Sequence, residues 1–368
     1  MPGPSLSRTP FDDPPAGSTA GSPAGPADGP RAALDDRWLR ALATDLVGRP
    51  PLVAERGRWI GEPRASYVAH VLSTEEAWRH WLDEQLYYFM LIDSFRPVGT
   101  SLDELPALLA KRGMTPRDAL HRIALSTSFE ARNPGADTFV TVVMEQFCGI
   151  EVQRAKRELE IGKAAYDGDG GLFLGSRASN QSDVVRIAAT HQDAARHLAS
   201  REFERLTRSV LSKRERARTG KRLHRSPRAF VEVLSEWLAT DAYAERVARG
   251  APLSNRSWVR AIYVDLGGSL PSEDDTEALR SALDGLGDPV PLRSAVVRML
   301  LDGETMRAPR TGEIGDPGAW VDDTFARLLG RAPTADERRA FTEAAGSGTD
   351  GPEIVLFTLV TSEEYQSS

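Results

Sequence analysis

The sequence contains a repeated pattern that constrains its fold more than any other feature. Three segments begin at Trp38, Trp258 and Trp320 and align without gaps. In each segment a Leu follows the Trp by eight residues, a Gly by ten and a Pro by thirteen. Four coincident positions in three copies indicate an internal repeat, so the chain is predicted to be built from copies of one unit. The matched positions are Leu46, Leu266 and Leu328; Gly48, Gly268 and Gly330; and Pro51, Pro271 and Pro333.

The spacing within each copy predicts a helix that ends at the repeated Gly. In the second copy, Trp258, Ile262 and Leu266 recur every four residues, which places them on one helical face. A Gly readily takes the left-handed conformation that ends a helix, and the Pro that follows prevents the helix from resuming. The three Trp residues are predicted to be buried in the core. A second helix is expected after the turn, because residues 272–275 and 334–337 fit a Ser/Thr-x-x-Asp/Glu capping box, which the first copy lacks.

Two further patterns extend the repeat. A weaker fourth copy begins at Phe139, with Phe147 eight and Gly149 ten residues later, but it has no matching Pro. A second element also recurs: a helix that begins at or near a Pro, which is well tolerated at the first helical position, and runs to a small polar cluster. This element begins at Pro63, Pro116 and Pro352, and in looser form at Pro227 and Pro291.

These patterns predict an all-α fold of tandem units, each with two helices and a closing helix, in one elongated domain or two adjoining domains. Residues 1–33 are predicted to be a disordered tail, because eight Pro and five Gly among the first thirty positions leave too little apolar surface for a core. Residues 34–250 are predicted to form a helical repeat domain and residues 251–368 two C-terminal repeat units. No convincing strand pattern is present, so residues 168–180 are predicted to be a long loop or a small hairpin.

Two short signatures resemble known helical families. Residues 258–275 and 320–337 resemble the opening of a helical domain of unknown function found beside cytochrome-c-like modules in planctomycete and related bacterial proteins. The sequence Leu-Gly-Arg-Ala-Pro at 329–333, followed by Ser-Glu-Glu-Tyr at 362–365, is similar to the signature of phycobilisome-linker repeats. Both resemblances imply helical units. Where the planctomycete relatives often carry Cys-x-x-Cys-His, residues 151–154 read Glu-Val-Gln-Arg, so no haem or metal role carries over.

Composition and charge exclude several classes of protein. Hydrophobic residues make up 40% and charged residues 27% of the chain, as in soluble globular proteins. The net charge of −7 gives the molecule no overall attraction for nucleic acid or an anionic membrane. No stretch approaches the roughly 18 apolar residues of a membrane helix, so no membrane insertion is expected. The single cysteine, Cys148, excludes an intrachain disulfide; it is predicted to be a buried thiol and fits a cytoplasmic location.

Residues 201–228 form the most basic segment of the chain. They contain eleven Lys and Arg against three Glu. This excess is typical of a site that contacts phosphates or an acidic protein. It also fits a solvated helix face that pairs with acidic neighbours, and aromatic residues for base stacking are absent apart from Phe203. The candidate anion or partner contacts are Arg214, Arg216, Arg218, Lys221, Arg222 and Arg225.

Three aromatic residues are candidates for a binding interface. Tyr87, Tyr88 and Phe89 belong to the densest aromatic cluster of the chain, and such residues are enriched at interfaces. Their helical spacing also fits a core position. Separately, Asp193 and His197 are four residues apart, which predicts a carboxylate beside an imidazole on one helix face, as a surface pair.

The sequence leaves three functional hypotheses open. Stacked helical units create extended binding surfaces, which favours a non-enzymatic scaffold or linker that binds other proteins in a bacterial assembly. An enzyme whose site is assembled from dispersed residues is the second hypothesis, although no catalytic residue, cofactor-binding motif or metal-ligand motif is recognised in the sequence. A nucleic-acid-binding protein that uses residues 201–228 is the third.

Removal of the Pro/Gly-rich tail should leave folding intact. Because residues 1–30 lack the apolar side chains of a packed element, a chain without them should melt within about 2 °C of the full chain, less than the loss of a packed element would cause. Thermal unfolding followed by circular dichroism measures this difference. A much larger drop in melting temperature would contradict the assignment of these residues to a tail.

Overall fold

The computed structural model describes residues 32–90, 102–303 and 306–367. Nearly all of its regular structure is helical, which confirms the predicted all-α fold. The predicted tail lies outside the described residues except for Ala32 and Ala33. The Ala32 carbonyl accepts a hydrogen bond from the Arg64 backbone N–H, and Ala33 pairs with Pro63 in a β-bridge. The prediction is therefore wrong for these two residues, because their backbone is bonded to the folded unit.

The elements follow one another along the chain with short connections. From the amino terminus the helices are α1 (Asp36–Val47), α2 (Val53–Trp59), α3 (Arg64–Val71), α4 (Glu75–Met90), α5 (Leu105–Ala110), α6 (Pro116–Ala124), α7 (Thr127–Arg132), α8 (Gly135–Val142), a π-helical turn (Val143–Phe147), α9 (Lys156–Tyr166), α10 (Gln181–Thr190) and α11 (Gln192–Thr207). They continue with α12 (Lys213–Arg225), α13 (Phe230–Trp237), α14 (Asp241–Arg249), α15 (Asn255–Gly267), α16 (Glu273–Asp284), α17 (Val290–Asp302), α18 (Pro317–Leu329), α19 (Ala335–Ala345), α20 (Gly351–Val360) and α21 (Glu363–Gln366).

The segment 168–180 contains a small hairpin. Its strands are β1 (Gly171–Phe173) and β2 (Ser176–Ala178), and they pair antiparallel with Leu172 opposite Arg177. The sequence left two alternatives for this segment, a long loop or a small hairpin. The structure confirms the small hairpin. Among the described residues, no helix is both long and apolar enough to cross a membrane.

The repeated glycines end the first helix of their units, as the sequence predicts. Gly48, Gly268 and Gly330 follow α1, α15 and α18 with φ of 73°, 69° and 66°, in the left-handed region. The backbone N–H of each donates to the carbonyl four residues earlier. In the weaker fourth copy, Gly149 follows the π-helical turn with a φ of 63°. The local spacing of apolar residues, Gly and Pro is therefore sufficient to define this turn.

The second helix of each copy also begins where the capping pattern predicts. Ser272 caps α16 and Thr334 caps α19 through their side-chain oxygens. The first copy has no Ser or Thr at this position, yet α2 begins there. The Glu55 carboxylate accepts a 2.8 Å hydrogen bond from the Leu52 backbone N–H. This is one of the two hydrogen bonds of a capping box, and it stabilises the same turn.

An arginine after the repeated glycine connects two helices in the first and last units. Arg49 forms ion pairs of 2.7 Å with Glu55, at the start of α2, and with Glu76, at the start of α4. Arg331 pairs in the same way with Glu337, at the start of α19, and Glu364, at the start of α21, at 2.8 and 2.6 Å. The Leu-Gly-Arg-x-Pro and Ser-x-Glu-Tyr signatures are thus joined directly, by Arg331 and Glu364. A carboxylate in the first turn of a helix also interacts favourably with the helix dipole.

Buried apolar residues form two clusters, one of residues between Leu34 and Val247 and the other of residues between Leu253 and Tyr365. Of the three repeated tryptophans, only Trp258 is fully buried. Trp38 and Trp320 are half-buried and pack against the clusters, so full burial in the core is confirmed for Trp258 alone. The Arg64 guanidinium lies over the ring of Trp38, 3.5 Å from its centroid, as a cation–π contact.

Buried polar side chains join the two clusters. The Arg40 guanidinium of α1 lies 3.0 Å from the Asp265 carboxylate of α15, and both side chains are less than 5% exposed. The Tyr365 hydroxyl donates to the same carboxylate at 2.8 Å. Arg40 also donates to the Arg327 backbone carbonyl of α18 at 3.2 Å. Helix α1 is therefore held by residues of both C-terminal repeat units.

Two glycine substitutions should separate backbone strain from close packing. Ala at either Gly268 or Gly330 must adopt a positive φ, at a cost of about 1–2 kcal/mol. At Gly330 an added Cβ would also lie 2.6 Å from the Arg37 Cα of α1, whereas nothing lies within 4 Å at Gly268. We expect Gly330→Ala to lower the free energy of unfolding by at least about 1 kcal/mol more than Gly268→Ala does, since a backbone clash cannot relax cheaply.

Urea unfolding of the two variants beside the parent chain measures this difference, and Gly268→Ala is the matched control for strain alone. Equal losses of stability would show that α1 is not held against the turn after α18.

Candidate functional site

Helix α12 carries a line of exposed cations. Arg214, Arg218, Lys221 and Arg225 recur at intervals of four, three and four residues, which places them within an arc of about 60° on one helix face. All four are exposed, and no ion pair joins them to a carboxylate among the described residues. We call these four residues the basic stripe. It extends roughly 16 Å along the helix axis.

The other two cations predicted on this segment lie elsewhere on α12. Arg222 is half-buried and pairs with Glu232 and Glu236 of α13, at 2.9 and 2.8 Å. Arg216 is exposed, but it lies two positions from both Arg214 and Arg218 and so projects from a different side of the helix. The structure therefore places four of the six candidate residues in one line and turns Arg222 toward acidic neighbours.

Helix α12 is held closely against α11 on the face opposite the basic stripe. Thr219, Gly220 and Leu223 are buried there. A Cβ added at Gly220 would clash with the Arg196 side chain and backbone, so the absence of a side chain permits this approach. The basic stripe is thus presented by a helix whose orientation is set by packing.

The three candidate interface aromatics have different environments. Tyr87 is 48% exposed. Tyr88 is half-buried, and its hydroxyl lies 3.1 Å from the His197 Nε2. Phe89 is buried and stacks on Phe147, with ring centroids 4.3 Å apart. Phe89 therefore belongs to the core and, with Phe147, forms one wall of a cleft.

This cleft opens between α4, α6, α11, α12 and α13. The empty volume of the cleft, including the solvent-filled space at its mouth, is about 570 Å³. Six large apolar side chains line it, together with polar side chains that include two guanidinium groups and three imidazoles, but none of its lining residues is acidic. The apolar side chains are Phe89, Leu120, Phe147, Leu198, Leu223 and Phe230.

Arg201 of α11 is the most unusual polar group of the cleft. Its guanidinium lies over the Tyr88 ring, 3.7 Å from the centroid, and its Nη2 donates to the Gln85 Oε1 at 2.5 Å. Its Nε is buried and has no hydrogen-bond partner. The adjacent Glu202 carboxylate pairs with Arg205 instead, at 3.1 Å. Burial lowers the pKa of Arg201, because attraction to Glu202 and Tyr88 does not offset the loss of water.

His197 does not pair with Asp193 as the sequence predicts. Its Nε2 faces the Tyr88 hydroxyl, and the Asp193 carboxylate pairs with Arg196 at 2.7 Å and lies 3.6 Å from His191. Burial lowers the pKa of His197 to about 4, and the nearby Arg201 charge acts in the same direction. The imidazole is therefore neutral at pH 7.

Cys148 is buried, as predicted, and its Sγ donates to the Ala188 carbonyl at 3.6 Å. Burial raises the pKa of this thiol to about 12, so it is not a nucleophile at neutral pH. In the part of the chain that the structure describes, no group of three or more His, Cys, Asp or Glu is placed to hold a metal ion.

From the sequence, Arg201 is only one cation of a basic segment, and its place in the cleft could not be predicted. The contact between Arg201 and Tyr88 joins residues more than a hundred positions apart, so no local pattern marks it.

Comparison with models of known protein families and with curated proteins gives no match for this chain. The resemblance to the planctomycete domain and to phycobilisome-linker repeats therefore stays a prediction.

The low pKa of His197 predicts a loss of stability in mild acid. In the unfolded chain a His has a pKa of about 6.5, so between about pH 6.5 and pH 4 the unfolded state binds a proton that the folded state does not. The contribution of His197 is fully present above about pH 6.5 and is lost as the pH falls toward 4. The free energy of unfolding should therefore fall less steeply over this range in His197→Gln than in the parent chain.

Urea unfolding at several pH values measures these slopes. Tyr88→Phe is the matched control, because it removes the hydrogen bond but keeps the buried imidazole and should keep the parent slope. A parent-like slope in His197→Gln would contradict the assignment.

Proposed function

We propose that this chain is a non-catalytic helical scaffold that binds an acidic protein through the basic stripe of α12. The main support is that four exposed cations are aligned and that none forms an ion pair with a carboxylate among the described residues. These cations are Arg214, Arg218, Lys221 and Arg225. Elsewhere the chain pairs its guanidinium groups extensively, as Arg331 does with two glutamates. Four adjacent like charges repel one another in the free protein, and an acidic partner relieves this repulsion.

An acidic protein fits the basic stripe better than a nucleic acid does. The chain as a whole carries a net charge of −7, which repels a polyanion of high charge density at long range. Helix α12 contains no Phe, Tyr or Trp on which bases could stack. A second helix with carboxylates at the same spacing can place one opposite each cation of the stripe.

The rigidity of α12 supports the same proposal. Arg222 ties the helix to α13 through two glutamates, and Gly220 allows it to lie close to α11. A surface that is ordered before binding loses little conformational entropy when a partner docks. Stacked helical units supply such surfaces without a catalytic centre.

Neutralising the basic stripe should weaken binding of an acidic helix. The probe is a synthetic helical peptide of about 20 residues with Glu at the matching intervals of four, three and four. In the variant Arg214→Gln, Arg218→Gln, Lys221→Gln and Arg225→Gln, we expect its affinity to fall at least about tenfold, because each exposed ion pair contributes about 0.2–1 kcal/mol. Fluorescence anisotropy of the labelled peptide measures the affinity, and circular dichroism confirms that the variant folds.

A second variant controls for net charge. It neutralises four other exposed cations, Lys111, Lys156, Arg157 and Arg177, which are not aligned on one helix face. This variant should bind the peptide as the parent chain does. Equal losses in both variants would show nonspecific attraction and overturn the proposal. Tighter, stripe-dependent binding of a DNA duplex than of the peptide would replace it with the nucleic-acid hypothesis.

A further inference from the structure

We propose that the cleft between α4, α6, α11, α12 and α13 binds a monocarboxylate that carries an apolar chain or ring. This inference goes beyond the binding of an acidic protein, because the cleft lies on the inner side of α12 and the basic stripe on its outer side. It rests on the shape, the apolar walls and the unpaired polar atoms of the cleft.

The walls of the cleft fit an apolar body. Phe89 and Phe147 form a stacked pair on one side, and Leu120, Leu198 and Leu223 line the rest. Small-molecule sites are mostly apolar with a few polar groups that orient the ligand, and the walls of this cleft have that composition. An alkyl chain or a single aromatic ring therefore suits the walls.

Arg201 supplies the group that recognises the anion. Its guanidinium is fixed by the Tyr88 ring and by one hydrogen bond to Gln85, but its buried Nε has no partner. No lining residue is acidic, so the cleft itself holds no carboxylate to pair with this cation. A ligand carboxylate matches the fork of a guanidinium and would receive charge-assisted hydrogen bonds from it.

The charge of the cleft favours a carboxylate over a phosphate. His197 is neutral at pH 7, and the other guanidinium of the walls, that of Arg117, lies 4.0 Å from the Asp118 carboxylate. Arg201 thus supplies one positive charge that no acidic side chain of the cleft balances. A phosphate monoester carries nearly two negative charges and would bury one of them without a partner.

Gln146 gives the cleft a second polar group for the ligand. Its Oε1 is buried and has no hydrogen-bond partner. Because an amide can turn to present either its oxygen or its nitrogen, Gln146 can donate to the carboxylate or accept from a neighbouring hydroxyl or N–H of the ligand. Two unpaired buried groups in one apolar cleft are costly in the free protein, and a bound ligand satisfies both.

Isothermal titration calorimetry of the full chain tests the proposal with three probes: octanoate, 1-octanol and inorganic phosphate. We expect octanoate to bind and phosphate alone not to bind. In Arg201→Met, which keeps an apolar side chain of similar length, the affinity for octanoate should fall about 10- to 100-fold, the range for loss of a hydrogen bond to a charged group. The affinity for 1-octanol should stay within about twofold, because the apolar walls are unchanged.

A second variant tests the location even if Arg201→Met folds poorly. Ala195 lines the cleft, and Ala195→Phe should fill it and abolish binding of both octanoate and 1-octanol. The exposed hairpin variant Arg177→Met removes a cation outside the cleft and should bind octanoate as the parent chain does. The proposal is overturned by undetectable octanoate binding at about 10 mM, by equal octanoate affinity in Arg201→Met or Ala195→Phe and the parent, or by phosphate competing with octanoate.

Discussion

A buried ion pair between Arg40 and Asp265 holds the two apolar clusters of this protein in one arrangement. Removing one member of such a pair typically costs about 3–5 kcal/mol, because the other charge is left buried without a partner. The pair is completed by the Tyr365 hydroxyl and by the Arg327 carbonyl, so residues from the first helix and from both C-terminal units must meet at one point. Helix α1 also packs on α4, which carries one wall of the cleft.

The repeated turn serves as a connector as well as a helix end. In the first and last units an arginine directly after the left-handed glycine binds one glutamate at the start of the second helix and another at the start of the fourth. The pattern thus links three elements through one planar guanidinium, which can accommodate several carboxylate oxygens at fixed angles. The middle unit, which begins at Trp258, has Ser269 in this position and so has no guanidinium there to make the link. The turn is therefore present in three units and the ionic connection in two.

Helix α12 has two faces of different chemical character. Its outer face carries four aligned cations in water, where ion pairs are individually weak and act mainly through their number and their long-range attraction. Its inner face contributes Leu223 and His224 to a largely apolar cleft in which Arg201 is half-buried. A single charge there interacts more strongly, because the surrounding medium is less polar. The two proposed binding surfaces thus lie on opposite faces of one helix.

The sequence by itself determined the helical class, the ends of the repeated helices, their capped second helices and the burial of Cys148. These features depend on residues within about one or two turns of each other, where Gly, Pro and capping side chains act through the local backbone. It also located the basic segment, but only the tertiary structure showed that Arg222 turns to Glu232 and Glu236 while four other cations form no ion pair among the described residues. The same holds for the half-burial of Trp38 and Trp320 and for the partner of His197. Such outcomes depend on which distant helices pack together, and the cleft exists only because α4, α6, α11, α12 and α13 meet around Arg201.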